Sequence, residues 1–312
     1  MSASVAASAT VLIGIHLMAA FANFIAPYEP QAQHREHPWA PPTRVRFHGF
    51  GLIATVETDG TQTTAYPLKF LHRGRLFAVD APGKIFLFGT DALGRDQFSR
   101  LVYGSRVSLF SGVAAAAVSA LLGLCFGGAA GFWGGFTDRI VMRIAELFLA
   151  LPWMYLLLAA RAFFPLNTDP RIVFVALLAL LGAIGWARPA RIVRGIVLSV
   201  KEREYVLASR GFGATPSYLL RRHILPEAYP AILTYLSLAI PQYILAEATL
   251  SFLGLGFSGE IPSWGSLIAS LANLEVLQNY WWMSVPAAGL AAVFACYNHF
   301  FNALAGAESQ KC

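Results

Sequence analysis

The chain has 312 residues, of which 56% are hydrophobic and only 13% are charged, and its mean hydropathy is +0.56. A soluble domain of this length rarely combines so few charges with so many apolar residues, so the composition indicates an integral membrane protein. The formal net charge is +6. No basic run is interleaved with aromatic residues, so the charge does not indicate nucleic-acid binding.

Six apolar stretches approach or exceed the ~20 helical residues that cover a hydrocarbon core of about 30 Å. They run roughly over residues 10–27, 107–136, 144–160, 172–187, 228–246 and 276–307. The sequence therefore predicts an all-α polytopic membrane protein with six transmembrane helices. Residues 1–27 are interpreted as a retained first helix rather than a signal peptide, because residues 1–8 lack the basic residues that start a signal peptide.

Residues 28–88 separate the first span from the others and are predicted to form a small extracytoplasmic β-rich insertion. Their proline-rich start excludes helix. Asp59-Gly60, between candidate strands at 53–58 and 61–66 that are rich in Thr and other β-forming residues, is a strong hairpin signal. A second hairpin is predicted between residues 76–79 and 85–88, on either side of a Pro-Gly turn. On these residues alone the insertion is either a partner-binding surface or a cap on the spans.

The short loops determine the expected orientation. The loop between the second and third spans carries Arg139 and Arg143. The loop between the fourth and fifth spans has a larger set of basic residues: Lys201, Arg203, Arg210, Arg221 and Arg222, with Arg188, Arg191 and Arg194 just before it. Short basic loops stay in the cytoplasm, whereas a segment as long as residues 28–106 is translocated largely regardless of its charge. Both termini are therefore expected in the cytoplasm.

The loop over residues 201–226 has the pattern of two short surface helices. Residues 201–212 are predicted to form the first, and Gly213 permits a turn. Thr215 is a candidate N-cap with Pro216 at the first helical position, and Pro226 is expected to end the second helix. An apolar ridge on two such helices fits a groove on a soluble partner. The alternative is an ordinary connection between two spans.

This loop resembles the EAA loop of ABC importer permeases, whose pattern is Glu-Ala-Ala, three residues, Gly, nine residues, Ile, one residue and Leu-Pro. Leu207 and His223 replace the Glu and the Ile, and both replacements are typical of the oligopeptide/dipeptide/nickel branch of the family. The resemblance implies that the loop docks onto an ATPase. The residues implicated in coupling are Glu204, Tyr205, Ala208, Ser209, Arg210, Gly213, His223, Leu225 and Pro226.

Two further blocks carry the same resemblance. One is similar to the family signature before the second span, and contains Asp91, Gly94, Arg95, Asp96, Ser99 and Arg100. By itself this block predicts an interfacial helix with Asp96 and Arg100 one turn apart. The other block, residues 247–256 followed by Pro-Ser-Trp-Gly around Trp264, resembles the outer end of the fifth span. Trp264 is expected in an interfacial aromatic belt with Trp281 and Trp282.

Glu247 is an ionisable residue at membrane depth, where a carboxylate is costly unless it faces protein or water. We expect it to line the translocation pathway or a gate, together with Ser251. The alternative is a structural carboxylate that is satisfied by Ser251, one helical turn further on.

Together the blocks cover most of residues 89–302, and the resemblance implies the type I ABC importer fold. Residues 89–312 would form the permease core with five helices, in the cytoplasmic membrane of a bacterium. The expected function is ATP-driven import of di- or oligopeptides, by a second-type (C-type) membrane subunit. The implied partners are a second permease subunit, two ATPase subunits that use ATP and Mg, an extracytoplasmic solute-binding protein and membrane lipid. The C-terminal tail lacks the charged pattern that is usual in the family.

Other functions fit these residues less well. The same family also imports nickel and other small solutes, and a secondary transporter would need internal repeats and coupling-ion carboxylates. An intramembrane enzyme would need a nucleophile and base or a metal set, whereas His16 and His299 have no motif around them. No catalytic or metal residues and no bound cofactor are therefore expected. His34, Glu36 and His37 are interpreted as a solvated loop rather than a metal site, and the phosphate loop of an ATPase is missing.

Overall fold

The structure is a computed structural model that describes residues 3–48, 51–58, 62–72, 74–165, 167–256 and 261–309. The chain divides into two compact units. The first comprises Met1–Phe110 and Ala246–Cys296, and the second comprises Ser111–Leu245 and Tyr297–Cys312.

Most described residues are helical. The α-helices are α1 (Ala3–Ala20), α2 (Ala22–Ile25), α3 (Gln97–Trp133), α4 (Gly135–Ala150), α5 (Trp153–Ala162), α6 (Pro170–Gly185), α7 (Ala187–Val200), α8 (Glu204–Gly211), α9 (Pro216–Leu219), α10 (Tyr229–Phe252), α11 (Trp264–Ile268), α12 (Leu274–Asn279) and α13 (Val285–Ser309).

Three continuous helical stretches in the described part of the chain are long and apolar enough to cross a bilayer: Gln97–Trp133, Arg171–Val200 and Pro216–Phe252. The predicted spans at 172–187 and 228–246 lie entirely within the second and third stretches. The predicted span at 107–136 lies within the first stretch up to Trp133, where that helix ends. Helices α4 and α5 form a fourth candidate, which bends by 85° between them. Pro152 lies at this bend, where a proline disfavours helical backbone at the preceding residue. Helix α1 contributes a shorter apolar helix, Val5–Ala20.

The insertion between α2 and α3 contains five strands: β1 (Arg44–His48), β2 (Gly51–Thr58), β3 (Gln62–Pro67), β4 (Lys69–His72) and β5 (Arg75–Ala78). The first three form one antiparallel sheet in the order β1-β2-β3, and β4 pairs with β5 in a separate antiparallel hairpin. Residues 28–43 contain no helix. The Asp59-Gly60 turn lies outside the described residues.

The predicted second hairpin was wrong. Strand β5 pairs with β4, and residues 85–88 form no strand. Ile85 and Phe86 are buried, but their amides donate to side chains, the Tyr28 hydroxyl at 2.9 Å and Thr43 Oγ1 at 2.9 Å. An apolar run predicts burial, yet burial alone does not distinguish a strand from an irregular segment whose hydrogen bonds go elsewhere.

In the second unit, α3 packs closely against α7 along a glycine ridge. Gly123, Gly127 and Gly131 recur every four residues and therefore lie on one face of α3. A Cβ at Gly127 would lie 2.3 Å from the Ala190 carbonyl oxygen, and one at Gly131 would lie 2.7 Å from Val197 Cβ. Only glycine permits this approach, which is a common way to pack membrane helices when no hydrophobic driving force exists between them.

Replacing Gly127 by Ala should therefore destabilise the chain, although alanine normally favours a helix by up to about 1 kcal/mol over glycine. The added methyl meets backbone, which cannot move aside, and overpacking costs about 1–3 kcal/mol. Gly195→Ala is the matched control, because Gly195 is on α7 and a Cβ added there would have nothing within 4 Å. We expect Gly127→Ala to lower the thermal midpoint of the purified protein and Gly195→Ala to keep or raise it; equal shifts would contradict the close packing.

Candidate functional site

Residues 204–226, here called the coupling knob, form the two predicted helical segments. Helix α8 ends before Gly213, whose φ of +85° is a left-handed conformation that glycine adopts without strain. Thr215 Oγ1 then accepts a hydrogen bond from the Tyr218 amide, and Pro216 opens α9. The N-cap predicted from Thr215 and Pro216 is therefore confirmed.

The predicted helix end at Pro226 was wrong. A π-helical turn, Leu220–Ile224, and a 3₁₀ turn, Leu225–Ala228, follow α9 and lead directly into α10. Pro226 lies in the first turn of the 3₁₀ segment, where its missing amide does not break an α-helical hydrogen bond. The wider turn before it accommodates the ring, so the second half of the knob and α10 form one continuous helical stretch, Pro216–Phe252.

The knob has an exposed apolar surface and a buried base. Phe212 is 92% exposed, and Tyr205, Leu207 and Tyr218 are also exposed. Val206, Leu219 and Ile224 are buried and pack with Val197 and Val200 of α7 in one hydrophobic cluster. The exposed side chains are thus available to a partner, while the buried ones attach the knob to α7.

His223 lies between the two segments of the knob. Its ring contacts those of Tyr205 and Tyr218 edge-on, with centroid separations of 6.0 and 5.6 Å, and its Nε2 lies 3.5 Å from Ser209 Oγ. The fold thus brings Tyr205, Ser209 and His223 together, whereas Glu204, Ala208, Arg210, Gly213 and Pro226 are exposed around them and Leu225 is half-buried. His223, one of the two residues that depart from the general EAA pattern, therefore joins the two halves of the knob.

Helix α7 is held at its knob-proximal end by two polar contacts that the sequence did not reveal. The Arg194 guanidinium makes two hydrogen bonds to the Asp138 carboxylate of α4, and Lys201 Nζ donates to the Gly131 carbonyl at 3.0 Å. Bidentate arginine–carboxylate pairs are geometrically specific. From the sequence, Arg194 is interpreted only as one of the cytoplasmic basic charges. Its partner Asp138 is 56 residues away in the chain, so no local pattern indicates the pair.

In the first unit, the signature block before α3 forms a buried ionic cluster around Asp91. The Asp91 carboxylate accepts hydrogen bonds from the Leu93 and Arg95 amides at 2.9 Å each, and it pairs with both the Arg95 and Arg100 guanidinium groups. Arg100 therefore pairs with Asp91, and not with Asp96 as the one-turn spacing predicted. Gly94 has a φ of +69°, and a Cβ there would lie 2.0 Å from the His34 carbonyl oxygen.

Asp96 has a different role from Asp91, because its side chain caps α3. Its Oδ2 accepts a hydrogen bond from the Ser99 amide at 2.8 Å. Asp96 is only 2% exposed, and burial raises the pKa of its carboxyl to about 7 despite the hydrogen bonds from Ser99.

The expected aromatic belt is wrong for two of its three tryptophans. Trp264 is 2% exposed and Trp282 is 6% exposed, whereas Trp281 is 65% exposed. The Trp264 indole donates to the Leu101 carbonyl at 3.0 Å, and its amide donates to Ser108 Oγ at 3.1 Å. A buried indole with a satisfied N–H is a packing residue, so Trp264 attaches α11 to α3.

Glu247 is buried in α10, with 2% of its surface exposed. Ser251 Oγ donates to its Oε1 at 2.6 Å, as the one-turn spacing predicts. The Ser108 and Ser263 side chains also face this carboxyl, while Oε2 makes no hydrogen bond of standard geometry among the described residues. The carboxyl is thus surrounded by serine hydroxyls within the first unit.

His34, Glu36 and His37 do not assemble into a metal site. The His34 ring packs against Tyr28 and Phe86, with centroid separations of 4.8 and 5.2 Å. Within the described ranges, no three His, Cys, Asp or Glu side chains lie close enough to hold a metal ion.

Comparison with known proteins identifies the family. Residues 123–311 match the binding-protein-dependent transport system inner membrane components. The dipeptide transport system permease protein DppC of Bacillus subtilis (strain 168) is 41% identical over 225 residues, covering 72% of this chain and 68% of that protein. The oligopeptide permease OppC of the same strain is 42% identical over 228 residues (73% and 71%), and OppC of Escherichia coli (strain K12) is 38% identical over 225 residues (72% of each).

The chain therefore belongs to the family of binding-protein-dependent transport system inner membrane components. The resemblance of this chain to oligopeptide and dipeptide ABC permeases is confirmed. Among solved structures, an inward-facing MetNI methionine ABC transporter matches with a TM-score of 0.47 and 21% identity, over 67% of this chain and 96% of that one.

The buried Asp96 predicts a pH-dependent stability. Its pKa of about 7 in the folded chain lies above the reference value of 3.8, so between these values the folded state binds more protons than the unfolded state. Stability should therefore fall as pH rises from about 4 to about 7. Asp96→Asn should remove part of this dependence while it keeps the cap. Thermal unfolding of the purified protein at several pH values tests this, with Glu29→Gln, an exposed carboxylate of the same unit, as the control. Parallel profiles for all three proteins would contradict the assignment.

Proposed function

We propose that this protein is a membrane-spanning permease subunit of an ATP-driven ABC importer that carries di- or oligopeptides across the cytoplasmic membrane of a bacterium. The observation that carries the proposal is the coupling knob, with its exposed aromatic surface and its continuous helical connection to a span. Relatives that cover more than two thirds of this chain are named as peptide permeases, which favours peptides over nickel or other small solutes.

The proposed architecture is the type I ABC importer fold with six transmembrane helices. They are α1, α3, the bent pair α4–α5, the pair α6–α7, the stretch from α9 to α10, and α13. The strands between α2 and α3 form the extracytoplasmic insertion. The knob carries Arg210, Arg221 and Arg222, and this basic character favours a cytoplasmic position for the knob and for both termini.

ATP hydrolysis belongs to two separate ATPase subunits, which bind ATP and Mg; no catalytic step is assigned to this chain. The exposed Phe212, Tyr205 and Leu207 fit an apolar groove on such a subunit, in the manner of a helix docked in a groove. A push on the knob reaches α7 through the buried Val206 and Ile224. The other proposed partners are a second permease subunit, an extracytoplasmic solute-binding protein and membrane lipid.

Glu247 and Ser251 are proposed to lie at a gate in the translocation pathway. Four polar side chains, Glu247, Ser251, Ser108 and Ser263, meet where α10 and α11 pack beside α3. A buried carboxyl that faces three serine hydroxyls can change its hydrogen-bond partners when the helices move, at a cost of about 1–3 kcal/mol for a group that is left unsatisfied. The competing hypothesis is a structural carboxyl that is satisfied in every conformation.

The function is tested by uptake of a labelled dipeptide or tripeptide into proteoliposomes that contain the whole importer and its binding protein. Uptake should require ATP, and Gly213→Val should uncouple it from hydrolysis, because valine resists a φ of +85°. Gly211→Val is the matched control: both glycines face open space, but only Gly213 has a positive φ. Uptake of Ni²⁺ without peptide uptake would overturn the substrate class, and uptake without the ATPase subunits would favour a secondary transporter.

The gate hypothesis for Glu247 predicts separate effects on assembly and transport. Glu247→Gln keeps the shape and the hydrogen bond with Ser251, so we expect a normally assembled complex with altered peptide uptake or altered pH dependence of uptake. Glu247→Leu removes the hydrogen bond and should impair uptake more than assembly. Subunit copurification and uptake rates are the two measurements. If both variants transport peptides like the parent protein, Glu247 is a structural carboxyl.

A further inference from the structure

Helix α4 packs along α7 in the second unit and runs antiparallel to it. Near the start of α4, the Asp138 carboxylate pairs with the Arg194 guanidinium of α7. Seven residues further along α4, Ala145 packs in one cluster with Ala187 and Ala190, which precede Arg194 in the chain. The ion pair and the alanine cluster are thus two points on one helix–helix interface.

The α4 side of this interface is a narrow stripe. Asp138, Val141, Ala145 and Phe148 recur every three or four residues, so they lie on one face of the helix. Ala145 is the one fully buried residue of α4, all of which the structure describes. Apolar contact is non-directional, so an apolar stripe by itself leaves α4 able to slide or turn against α7. Two hydrogen bonds between a planar guanidinium and a carboxylate oppose this motion, because they require one relative orientation.

Arg194 lies on α7 between the residues that contact α4 and those that contact the coupling knob. Ala190, four residues before it, belongs to the cluster with α4. Val197, three residues after it, packs in the cluster that contains Val206 and Ile224 of the knob. The ion pair is therefore the point at which the attachment of α4 meets the attachment of the knob.

The pair is better suited to fixing an orientation than to stabilising the fold. The Arg194 and Asp138 side chains are 34% and 18% exposed, and solvent screening leaves an ion pair that reaches water little net contribution to stability. Asp138 is in the first turn of α4, where its charge also complements the helix dipole. Loss of the pair should therefore leave the chain folded but let α4 move independently of α7.

We propose that Asp138 and Arg194 are positioning residues that make α4 and α7 one rigid unit, so that movement of the coupling knob reaches the bent pair α4–α5. Helix α4 carries this movement to the 85° bend, beyond which α5 begins. The inference rests on the proposed function, because the ATPase subunits are what moves the knob.

The rigid unit is tested first by the distance between the two helices. The native cysteines are replaced by Ser, and nitroxide labels are attached at Arg139→Cys on α4 and Gly195→Cys on α7, both of which are exposed positions. In the assembled importer in phospholipid nanodiscs, pulsed EPR should give one narrow distance distribution that is the same without nucleotide and with ATP and vanadate. Asp138→Ala should broaden or shift the distribution, even without nucleotide. The proposal is overturned if the parent distance changes on ATP binding, or if the Asp138→Ala distribution equals that of the parent.

A double-mutant cycle then measures the peptide taken up per ATP hydrolysed. Asp138→Ala and Arg194→Ala should each lower this ratio about fivefold or more, which is the lower end of usual coupling between sites. The double variant should fall no further than the weaker single variant, because the pair acts as a unit. Arg194→Lys should remain impaired, since lysine keeps the charge but lacks the planar fork. Multiplied losses in the double variant, or a normal ratio in Arg194→Lys, would contradict the orienting role of the pair.

Arg143→Ala and Glu146→Ala are the matched controls. Their ion pair lies within α4, so it joins no second helix, and it is 85% and 59% exposed. Both controls should keep the parent ratio, and the thermal midpoints of the Asp138 and Arg194 variants should stay close to theirs. Equal losses of coupling in the controls, or losses that follow a lowered midpoint, would make the pair merely structural and overturn the proposal.

Failure of this inference is distinguishable from failure of the proposed function. A parent importer that shows no ATP-dependent peptide uptake would contradict the proposed function. The label distances require no transport, so they still decide whether α4 and α7 form one rigid unit.

Discussion

The close approach of α3 and α7 is the constraint on which the position of residues 204–226 depends. Glycine at residue 127 lets the α3 backbone approach the carbonyl of Ala190 to a distance that any side chain would block. Because α7 leads directly into the coupling knob, this contact determines where the knob lies relative to α3. Membrane helices gain little from apolar burial against one another, so such backbone proximity provides packing that a water-soluble protein would obtain from its hydrophobic core.

The buried polar groups show a second consequence of the apolar membrane environment, which is that each group has a partner within the chain. The Asp91 carboxylate is paired with Arg95 and Arg100, and Glu247 is hydrogen-bonded to Ser251. Burying a charge without a partner costs several kcal/mol, so each of these groups has its partner on the same helix or on a neighbouring segment of the same unit. The two aspartates of one signature block nevertheless differ, because Asp91 joins an ion cluster while Asp96 caps a helix. Sequence spacing places both near Arg100 and does not distinguish their directions.

The prolines of the chain show that the helix-breaking effect of this residue depends on the backbone hydrogen bonds around it. Pro152 coincides with the bend between α4 and α5, as a helix-breaking residue should. Pro226 was expected to end a helix in the same way, yet a π turn and a 3₁₀ turn carry the helix past it. Pro241 lies inside α10. For Pro241, which lies in the predicted span at 228–246, the alternative to a continuous helix is a set of unsatisfied backbone groups in the bilayer, and this favours redistribution of the hydrogen bonds over termination.

The sequence by itself determined the membrane character, the position of the coupling loop, the Thr215 cap, the Gly213 turn and the family. Each of these features depends on composition or on residues within a few positions of one another. Such features can be recognised in the sequence without knowledge of the fold. Only the tertiary structure decided that β5 pairs with β4, that Trp264 is buried, and that Asp138 holds Arg194. These features join segments far apart in the chain, and an apolar run, an indole or a lone carboxylate has several possible partners until the helices are packed.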